Sequence, residues 1–318
     1  MSELLPVLDT LLADARAGKP SALCTVVKTK GSTPQGPGAA MLVRGDFSTC
    51  GTIGGGCVEA EIRRRAFELM ESNRSVLLDY VLDHDDSWDD GLICGGRIYV
   101  AVNTVTAETD LTPFQTAADH ARQRRPAQFP LVVENNGKRQ EYRLNLEVPP
   151  TLLIAGAGHV GQAVARLALE LDFHVVAIDE RPEYASRARF GDKVDLVVDD
   201  IAAALARYPI DAACAVVIVT RGHNHDHQAL EAVIRGDAGY VGLIGSKRKA
   251  RMIFDDLRDS GVPPDRLERV HTPIGLDIGA MTVSEIAVSI VAQLVQHRRK
   301  NAPPLVEGPF ELAGPRSQ

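Results

Sequence analysis

The chain has 318 residues, 45% of them hydrophobic and 24% charged, which is typical of a folded globular protein and unlike a disordered or fibrous one. This length predicts two domains, each able to bury a core of its own. A formal net charge of −7 argues against nonspecific nucleic-acid binding, because such binding needs a basic surface.

The start of the chain predicts a cytoplasmic protein. Residues 1–19 carry acids and an amphipathic helical pattern, unlike the basic start and unbroken apolar core of a signal peptide. No apolar run reaches the length needed to span a membrane, so no membrane partner is expected. The five cysteines include no CxxC pair, which predicts reduced thiols and argues against a disulfide framework or a structural zinc site.

A small mixed α/β domain is predicted for residues 1–140. Four segments have strand patterns: 22–30, 39–43, 75–82 and 97–105. Apolar residues at helical spacing begin at Val58, and the polar segment GSTPQGPG predicts a tight loop. Periodicity is lost after residue 124, and Pro149-Pro150 predicts a domain boundary.

The segment GTIGGGCV places three successive glycines at the start of the predicted helix. Gly54, Gly55 and Gly56 can adopt positive φ angles, so their N–H groups can turn toward one anion. The positive end of the helix would favour the reactivity or metal affinity of Cys57. Cys94 supplies a second thiol that is also followed by glycines. For both cysteines, a role as a small buried side chain is the alternative.

Residues 150–298 alternate strands and helices in the order that builds a doubly wound parallel sheet. The turn GAGHVG contains Gly156, Gly158 and Gly161 between a buried strand and a helix, and Asp179 ends the next strand. In this context the glycines admit a pyrophosphate to the helix N-terminus, and the acid can reach a ribose hydroxyl. The same glycines could serve only to pack the helix on the strand, so both interpretations stay open.

Two further strand-to-helix junctions are candidate ligand sites. In the segment HNHDH, His223 and His227 would share a helix face and could hold a metal, although solvated histidines are the alternative. At the second junction Ser246 is a candidate helix cap beside Lys247. An anion could bind there, or the bases could simply face solvent.

The last predicted helix begins at a capping box formed by Thr282 and Glu285. Apolar residues then recur at helical spacing and predict a buried face. Residues 299–318 contain several prolines and glycines and are predicted to form a loose tail.

Taken together, these segments resemble the XdhC/CoxI family, whose members are accessory proteins that mature xanthine dehydrogenase, carbon monoxide dehydrogenase and related molybdenum hydroxylases. The resemblance is carried by GSTP (31–34), GTIGGGCVEAEI (51–62), CGG (94–96), IAGAGHVG (154–161), IDERPEYA (178–185), YVGLIGSKRK (240–249) and PIGLDIGA (273–280). It implies an α/β protein in which an XdhC-type mixed α/β domain precedes a Rossmann-like domain with a doubly wound parallel sheet.

The resemblance also implies a chaperone rather than an enzyme, so no catalytic residue is assigned. Such a protein binds the molybdenum cofactor, as molybdopterin or its dinucleotide form, while a cysteine desulfurase replaces an oxo ligand with sulfur. It then inserts the cofactor into a xanthine dehydrogenase-type hydroxylase. On this hypothesis the thiols of Cys57 and Cys94 bind the metal end of the cofactor, since soft sulfur ligands suit it.

The Rossmann-like domain would then hold the phosphate or nucleotide of the cofactor. Beside Gly156, Gly158, Gly161 and Asp179, the candidate binding residues there are His159, His227, Ser246 and Lys247. Apolar surface between two domains also leaves a homodimer open.

Two other functions compete with this interpretation. An NAD(P)-dependent oxidoreductase would need a proton donor or acceptor near the nicotinamide, for which His159 or His227 could be proposed. A metal hydrolase built on HNHDH would lack carboxylate partners at a recognisable spacing.

Overall fold

The computed structural model describes residues 4–82 and 96–309. The strands are β1 (Ser21–Lys30), β2 (Ala40–Arg44), β3 (Thr49–Gly51), β4 (Val76–Leu82), β5 (Gly96–Val105), β6 (Ala127–Asn135), β7 (Lys138–Leu146), β8 (Thr151–Ala155), β9 (His174–Asp179), β10 (Asp195–Val198), β11 (Cys214–Ile218), β12 (Tyr240–Leu243), β13 (Val270–His271) and β14 (Val306–Glu307). The helices are α1 (Leu4–Arg16), α2 (Gly56–Glu71), α3 (Thr112–Arg122), α4 (His159–Glu170), α5 (Arg187–Phe190), α6 (Ile201–Arg207), α7 (His223–Ile234), α8 (Lys247–Asp259), α9 (Pro264–Glu268) and α10 (Val283–Asn301).

The chain divides into two units. Unit 1 runs to Val148 and includes the segment from Pro303, and unit 2 comprises Pro149–Ala302. In the described part of unit 1 the strands form one sheet in the order β14-β7-β6-β4-β5-β1-β2-β3. Neighbouring strands are antiparallel except β4 and β6, which are parallel.

Alternate residues of β1 face the two sides of this sheet, as the strand period of two requires. Leu23 and Val27 pack in the core formed with α1 and α3. Ala22, Cys24 and Val26 belong to the core that the apolar face of α2 covers. The sheet is therefore covered by helices on both faces, and the N-terminus of α2 lies where β3 ends.

The segment after residue 124, for which the sequence predicts no regular structure, forms the hairpin of β6 and β7. Asn136 and Gly137 connect the strands with φ angles of 51° and 74°. Positive φ at both central residues defines a type I′ turn, which the Asn-Gly pair favours. The strand β7 thus continues past residue 140, where the sequence placed the end of the first domain.

Unit 2 has a parallel sheet in the order β10-β9-β8-β11-β12-β13. Numbered within the unit, this is the order 3-2-1-4-5-6 of dinucleotide-binding folds. The predicted doubly wound parallel sheet is thereby confirmed. No helix in the two described stretches is long and apolar enough to cross a membrane.

The C-terminal region of the chain differs from its prediction. The capping box at Thr282 and Glu285 starts α10 as predicted, but the helix continues to Asn301. Val306 then pairs with Leu144 in β14 and β7, and its side chain is buried. The predicted loose tail is therefore wrong for residues 299–307, because sheet pairing and apolar burial hold this segment. Residues 310–318 lie outside the described part.

Candidate functional site

The glycine run of unit 1 connects β3 to α2. Gly54, Gly55 and Gly56 have φ angles of 129°, 73° and 69°, which residues with a side chain rarely adopt. A Cβ at Gly54 would also lie 2.7 Å from the Pro34 side chain. An added Cβ at Gly55 or Gly56 would meet no heavy atom within 4 Å, so these two glycines border open space.

A carboxylate of the same chain accepts hydrogen bonds from amides of this loop. One Glu59 oxygen, Oε2, accepts hydrogen bonds from the Gly55 N–H at 2.9 Å and the Ile53 N–H at 3.2 Å. The Thr52 hydroxyl donates to the same oxygen at 2.7 Å, and the hydroxyl oxygen accepts from the Gly54 N–H at 3.1 Å. The loop is thus held in shape by its own anion.

This arrangement changes where an external anion can bind. Burial alone would raise the pKa of Glu59, but its hydrogen bonds outweigh burial and hold the pKa below its usual value. Glu59 therefore stays charged at neutral pH and keeps its hydrogen bonds to the loop amides. The next amides, those of Gly56 and Cys57, belong to the first turn of α2 and have no partner within the helix. They are amides of this motif that neither Glu59 nor Thr52 occupies.

Two other glycine motifs meet the loop at residues 31–34. The glycine run contacts this loop through Pro34, as described above. A Cβ at Gly96 would lie only 2.0 Å from the Ser32 carbonyl oxygen, so the start of β5 packs directly on the same loop. Cys94 lies outside the described residues, and its pairing with Cys57 stays a prediction.

Cys57 differs from the other described cysteines by its place at a helix N-terminus. Its thiol is free and partly buried. Cys24 and Cys214 are buried, and burial is the main cause of the raised pKa of the Cys24 thiol. Cys50 accepts a hydrogen bond from the Thr10 hydroxyl at 3.6 Å. Within the described residues, no group of three or more His, Cys, Asp or Glu side chains could hold a metal.

In unit 2 a pocket of about 380 Å³ opens at the carboxyl edge of the sheet, where the strand order reverses between β8 and β11. Doubly wound sheets hold their ligands at this position. We call it the sheet-edge pocket; it is lined by Gly156, Gly158, Asp179, Glu180, Arg181, Ile201, Val219, Thr220, Arg221 and His225.

The three glycines of the turn have different roles. A Cβ at Gly156 would lie 2.7 Å from the Val219 carbonyl oxygen, and one at Gly161 would lie 2.1 Å from the Gly156 carbonyl oxygen. Gly156 and Gly161 are therefore needed for packing. A Cβ at Gly158 would meet no heavy atom within 4 Å, and Gly158 is the N-cap of α4. Gly158 is the glycine that leaves room for a ligand at the helix N-terminus.

The carboxylate of Asp179 is buried and already occupied. Its Oδ1 accepts from the Arg181 Nε at 2.8 Å and the Arg181 N–H at 3.1 Å. Its Oδ2 accepts from the Ala157 N–H at 2.8 Å and the Arg181 Nη2 at 2.9 Å. Burial alone would raise its pKa, but these hydrogen bonds lower the pKa below the usual value. Asp179 thus secures the glycine turn, and a ribose would have to displace Arg181 to reach it.

Besides Asp179 and Arg181, the lining of the sheet-edge pocket includes the charged residues Glu180 and Arg221. Arg221 Nη2 donates to Glu180 Oε1 at 2.9 Å. Of the three histidines of α7, His225 lines the pocket. The His223 ring lies 3.9 Å from Asp256 and the His227 ring 4.0 Å from Glu231, and neither histidine lines the pocket.

A buried ion pair joins the first turns of α7 and α8. The Asp226 carboxylate is fully buried, accepts from the Thr220 hydroxyl at 2.5 Å and pairs with the Lys249 ammonium group. Ser246 is the N-cap of α8, as predicted, and accepts from the Lys249 N–H at 3.3 Å. Lys247 is exposed and does not line the sheet-edge pocket.

His159 also lies apart from the sheet-edge pocket. Its side chain is exposed and lines a second, larger concavity of about 1070 Å³, beside α4, α5 and the start of α10. The candidate residues that the structure brings together in the sheet-edge pocket are Gly156, Gly158 and Asp179. The sequence interpretation missed Glu59 and Arg181, which occupy the groups that an external ligand was expected to use.

These features define a two-domain α/β protein in which one unit carries a glycine loop beside a thiol and the other carries a dinucleotide-type sheet edge. Residues 14–81 match the family model described as the XdhC and CoxI family, and residues 152–294 match the model of the XdhC Rossmann domain. The chain belongs to the XdhC and CoxI family, which confirms the resemblance inferred from the motifs.

Several proteins are similar to the chain over most of its length. The uncharacterized protein YqeB of Escherichia coli K12 is 29% identical over 89% of this chain, which spans only 44% of YqeB. A probable xanthine dehydrogenase subunit from Bacillus subtilis 168 is 27% identical over 95% of this chain and 99% of its own. The molybdenum cofactor insertion chaperone PaoD of Escherichia coli K12 is 26% identical over 89% of this chain and 85% of its own.

A solved structure supports the fold. The crystal structure of a xanthine dehydrogenase from Bacillus halodurans aligns with a TM-score of 0.76 at 23% identity. The alignment covers 94% of this chain and 96% of that one.

Proposed function

We propose that this chain is a molybdenum-cofactor insertion chaperone. It binds the cofactor, holds it while a cysteine desulfurase exchanges an oxo ligand for sulfur, and inserts it into a xanthine dehydrogenase-type hydroxylase. Membership of the XdhC and CoxI family and the similarity to PaoD support this proposal. The structural observation that carries it is the first turn of α2, where amides without a partner in the helix lie beside the partly buried thiol of Cys57.

Unit 1 would take the metal end of the cofactor. The first turn of α2 offers the amides of Gly56 and Cys57 and the positive end of the helix dipole, which together favour an anion. The Cys57 thiol is a soft ligand of the kind that suits a molybdenum–dithiolene centre. Glu59 holds the preceding loop in shape, so the amides are arranged before the cofactor arrives. Cys94 is proposed as the second thiol.

Unit 2 has an anion site of its own, which would suit a phosphate or a nucleotide. Gly158 leaves space at the N-terminus of α4, and a phosphate placed there meets exposed amides. Arg181 and Arg221 line the same pocket, although each is paired with a carboxylate of the chain. The carboxylate of Asp179 already accepts hydrogen bonds from the chain, which argues against a role for this acid in binding the ribose of NAD. His159, His227, Ser246 and Lys247 lie outside the pocket lining, and their participation stays a prediction.

Transfer of the cofactor tests this function. The purified full-length chain is loaded anaerobically with molybdenum cofactor, sulfurated by a cysteine desulfurase, and mixed with an apo molybdenum hydroxylase whose activity is then measured. We expect Cys57→Ser to lower the activation at least about tenfold, because loss of even an outer-shell partner of a metal ligand commonly costs that much. Cys50→Ser is the matched control, because Cys50 is also a partly buried free thiol of unit 1.

Two results would contradict the proposal. In the first, the chain fails to raise hydroxylase activity above that of free cofactor. In the second, activation occurs but Cys57→Ser and Cys50→Ser behave alike, which would remove the thiol of Cys57 from the site.

A further inference from the structure

The concavity beside α4 forms a site of its own, which we call the basic groove. We define it by His159, Gln162, Arg166, Arg189, Phe190 and Val283. None of the residues that line it also lines the sheet-edge pocket. Its interior volume of about 560 Å³, which leaves out the space open to solvent, is within the range of clefts that hold small molecules.

The charged groups of the basic groove all have one sign. Its lining includes the guanidinium groups of Arg166 and Arg189, and no carboxylate. Among the described residues, neither Arg166 nor Arg189 forms an ion pair, although the chain as a whole carries a net charge of −7. A cationic concavity on an acidic protein is complementary to an anionic ligand.

Arg189 is fixed in position before any ligand binds. Its Nη2 donates to the Gln162 side-chain oxygen at 3.0 Å, and its carbonyl oxygen accepts from the Gln162 Nε2 at 2.6 Å. Its guanidinium group lies 4.8 Å from the centre of the Tyr184 ring. The Nε atom of Arg189 is buried and has no hydrogen-bond partner in the described part of the chain. A preorganised guanidinium binds a carboxylate, sulfonate or phosphate at little cost in side-chain entropy.

Apolar side chains form part of the lining of the basic groove, beside the arginines and the polar Gln162 and Ser284. Phe190, Leu169 and Val194 contribute to its lining, and Val283 at its rim is 41% exposed. Met281, which precedes α10, is 88% exposed. A ligand that only supplied negative charge would leave this surface in water, so the groove suits a ligand that also has an apolar body.

We propose that the basic groove binds a small organic anion with a planar apolar body, such as an aromatic carboxylate, sulfonate or phosphate. Arg189 and Arg166 hold the charged group, and the body lies against Phe190 and Val283. This site is separate from the cofactor path proposed above and does not depend on it.

The test uses the fluorescent anion 8-anilinonaphthalene-1-sulfonate, an apolar planar body with one sulfonate, and the full-length chain at neutral pH. We expect saturable binding at one principal site, with affinity lowered about fivefold or more by Arg166→Ala, the loss expected for one charge-assisted contact. Val283→Asp, which brings a carboxylate to the rim, lowers it further. Arg251→Ala is the control, because Arg251 is an exposed arginine of α8 outside the groove. Arg166 and Val283 are themselves exposed, so these variants keep the fold, which circular dichroism verifies.

A second arm separates the groove from the sheet-edge pocket. Saturating ADP leaves the probe bound if it lies in the basic groove and displaces it if it lies at the sheet edge. Displacement by ADP, or equal affinity for wild type, Arg166→Ala and Val283→Asp, overturns the proposal. Neither result bears on the proposed function, which the cofactor-transfer assay tests separately.

Discussion

Replacing Glu59 with Gln tests whether one carboxylate holds the glycine loop in its ligand-ready shape. Three donors converge on Glu59 Oε2: the N–H groups of Ile53 and Gly55 and the Thr52 hydroxyl. A hydrogen bond to a charged group contributes about 1.5–3 kcal/mol, but three bonds to one oxygen are not additive and the amide of Gln retains part of them. We expect Glu59→Gln to reduce the free energy of opening the loop by about 2 kcal/mol.

Amide hydrogen exchange measures this local effect directly, because it reports on the loop without requiring either unit to unfold. A reduction of about 2 kcal/mol corresponds to roughly 30-fold faster exchange of the Ile53 and Gly55 amides. Glu61→Gln is the control, since Glu61 pairs with Arg64 on the helix surface at 2.6 Å, where an ion pair contributes little. Exchange within twofold of wild type in Glu59→Gln, or an equal effect of Glu61→Gln, would refute the role of Glu59.

Three further predictions concern unit 2. Lys249→Met leaves the buried Asp226 carboxylate without its cation and should lower the free energy of unfolding in urea by about 3 kcal/mol. The double variant Asp226→Leu/Lys249→Met should recover most of this loss. Strictly additive effects of the two substitutions would contradict the prediction. Burial lowers the pKa of His271 below its ordinary 6.5, so the folded protein favours the neutral form. The midpoint of thermal unfolding should therefore fall as the pH drops below 6.5. His271→Phe should weaken this pH dependence, and an unchanged slope would disprove the assignment. Gly161→Ala should prevent soluble expression, because its Cβ would lie 2.1 Å from a carbonyl oxygen, whereas Gly158→Ala should fold normally; equal yields would refute the packing argument.

The second unit was predictable because its signals are local. A buried strand, a glycine turn and a helix follow one another directly, and the capping box of Thr282 and Glu285 marks the last helix. Right-handed crossovers between parallel strands then restrict the possible topologies of such a sheet to a few. These rules predict the sheet edge at which Gly158 lies.

The architecture of the first unit required contacts between distant residues. Nothing near Val306 indicates that it pairs with Leu144, because sheet pairing at that distance depends on the folded surface. The hairpin of β6 and β7 did carry a signal in Asn136-Gly137, which is a strong short-range mark of a two-residue turn.

In the candidate sites the sequence identified positions but not partners. An acid in the first turn of a helix, such as Glu59, commonly stabilises that end, and this signal could have predicted an internal anion for the glycine loop. Asp226 precedes Ala229 and Leu230 by three and four residues, which places it on the buried face of α7 and indicates a buried partner. The ion pair between Asp179 and Arg181 depends on side-chain geometry that the spacing of residues alone does not specify.

The proposed function is tested most directly by measuring the molybdenum and pterin bound to the purified full-length chain after anaerobic incubation with the cofactor. Molybdenum is determined by mass spectrometry and pterin by the fluorescence of its oxidised form. We expect equimolar molybdenum and pterin on the wild-type chain and on Cys50→Ser, with clear loss on Cys57→Ser. Absence of both from the wild-type chain, together with tight binding and turnover of a nicotinamide dinucleotide, would contradict the proposed function.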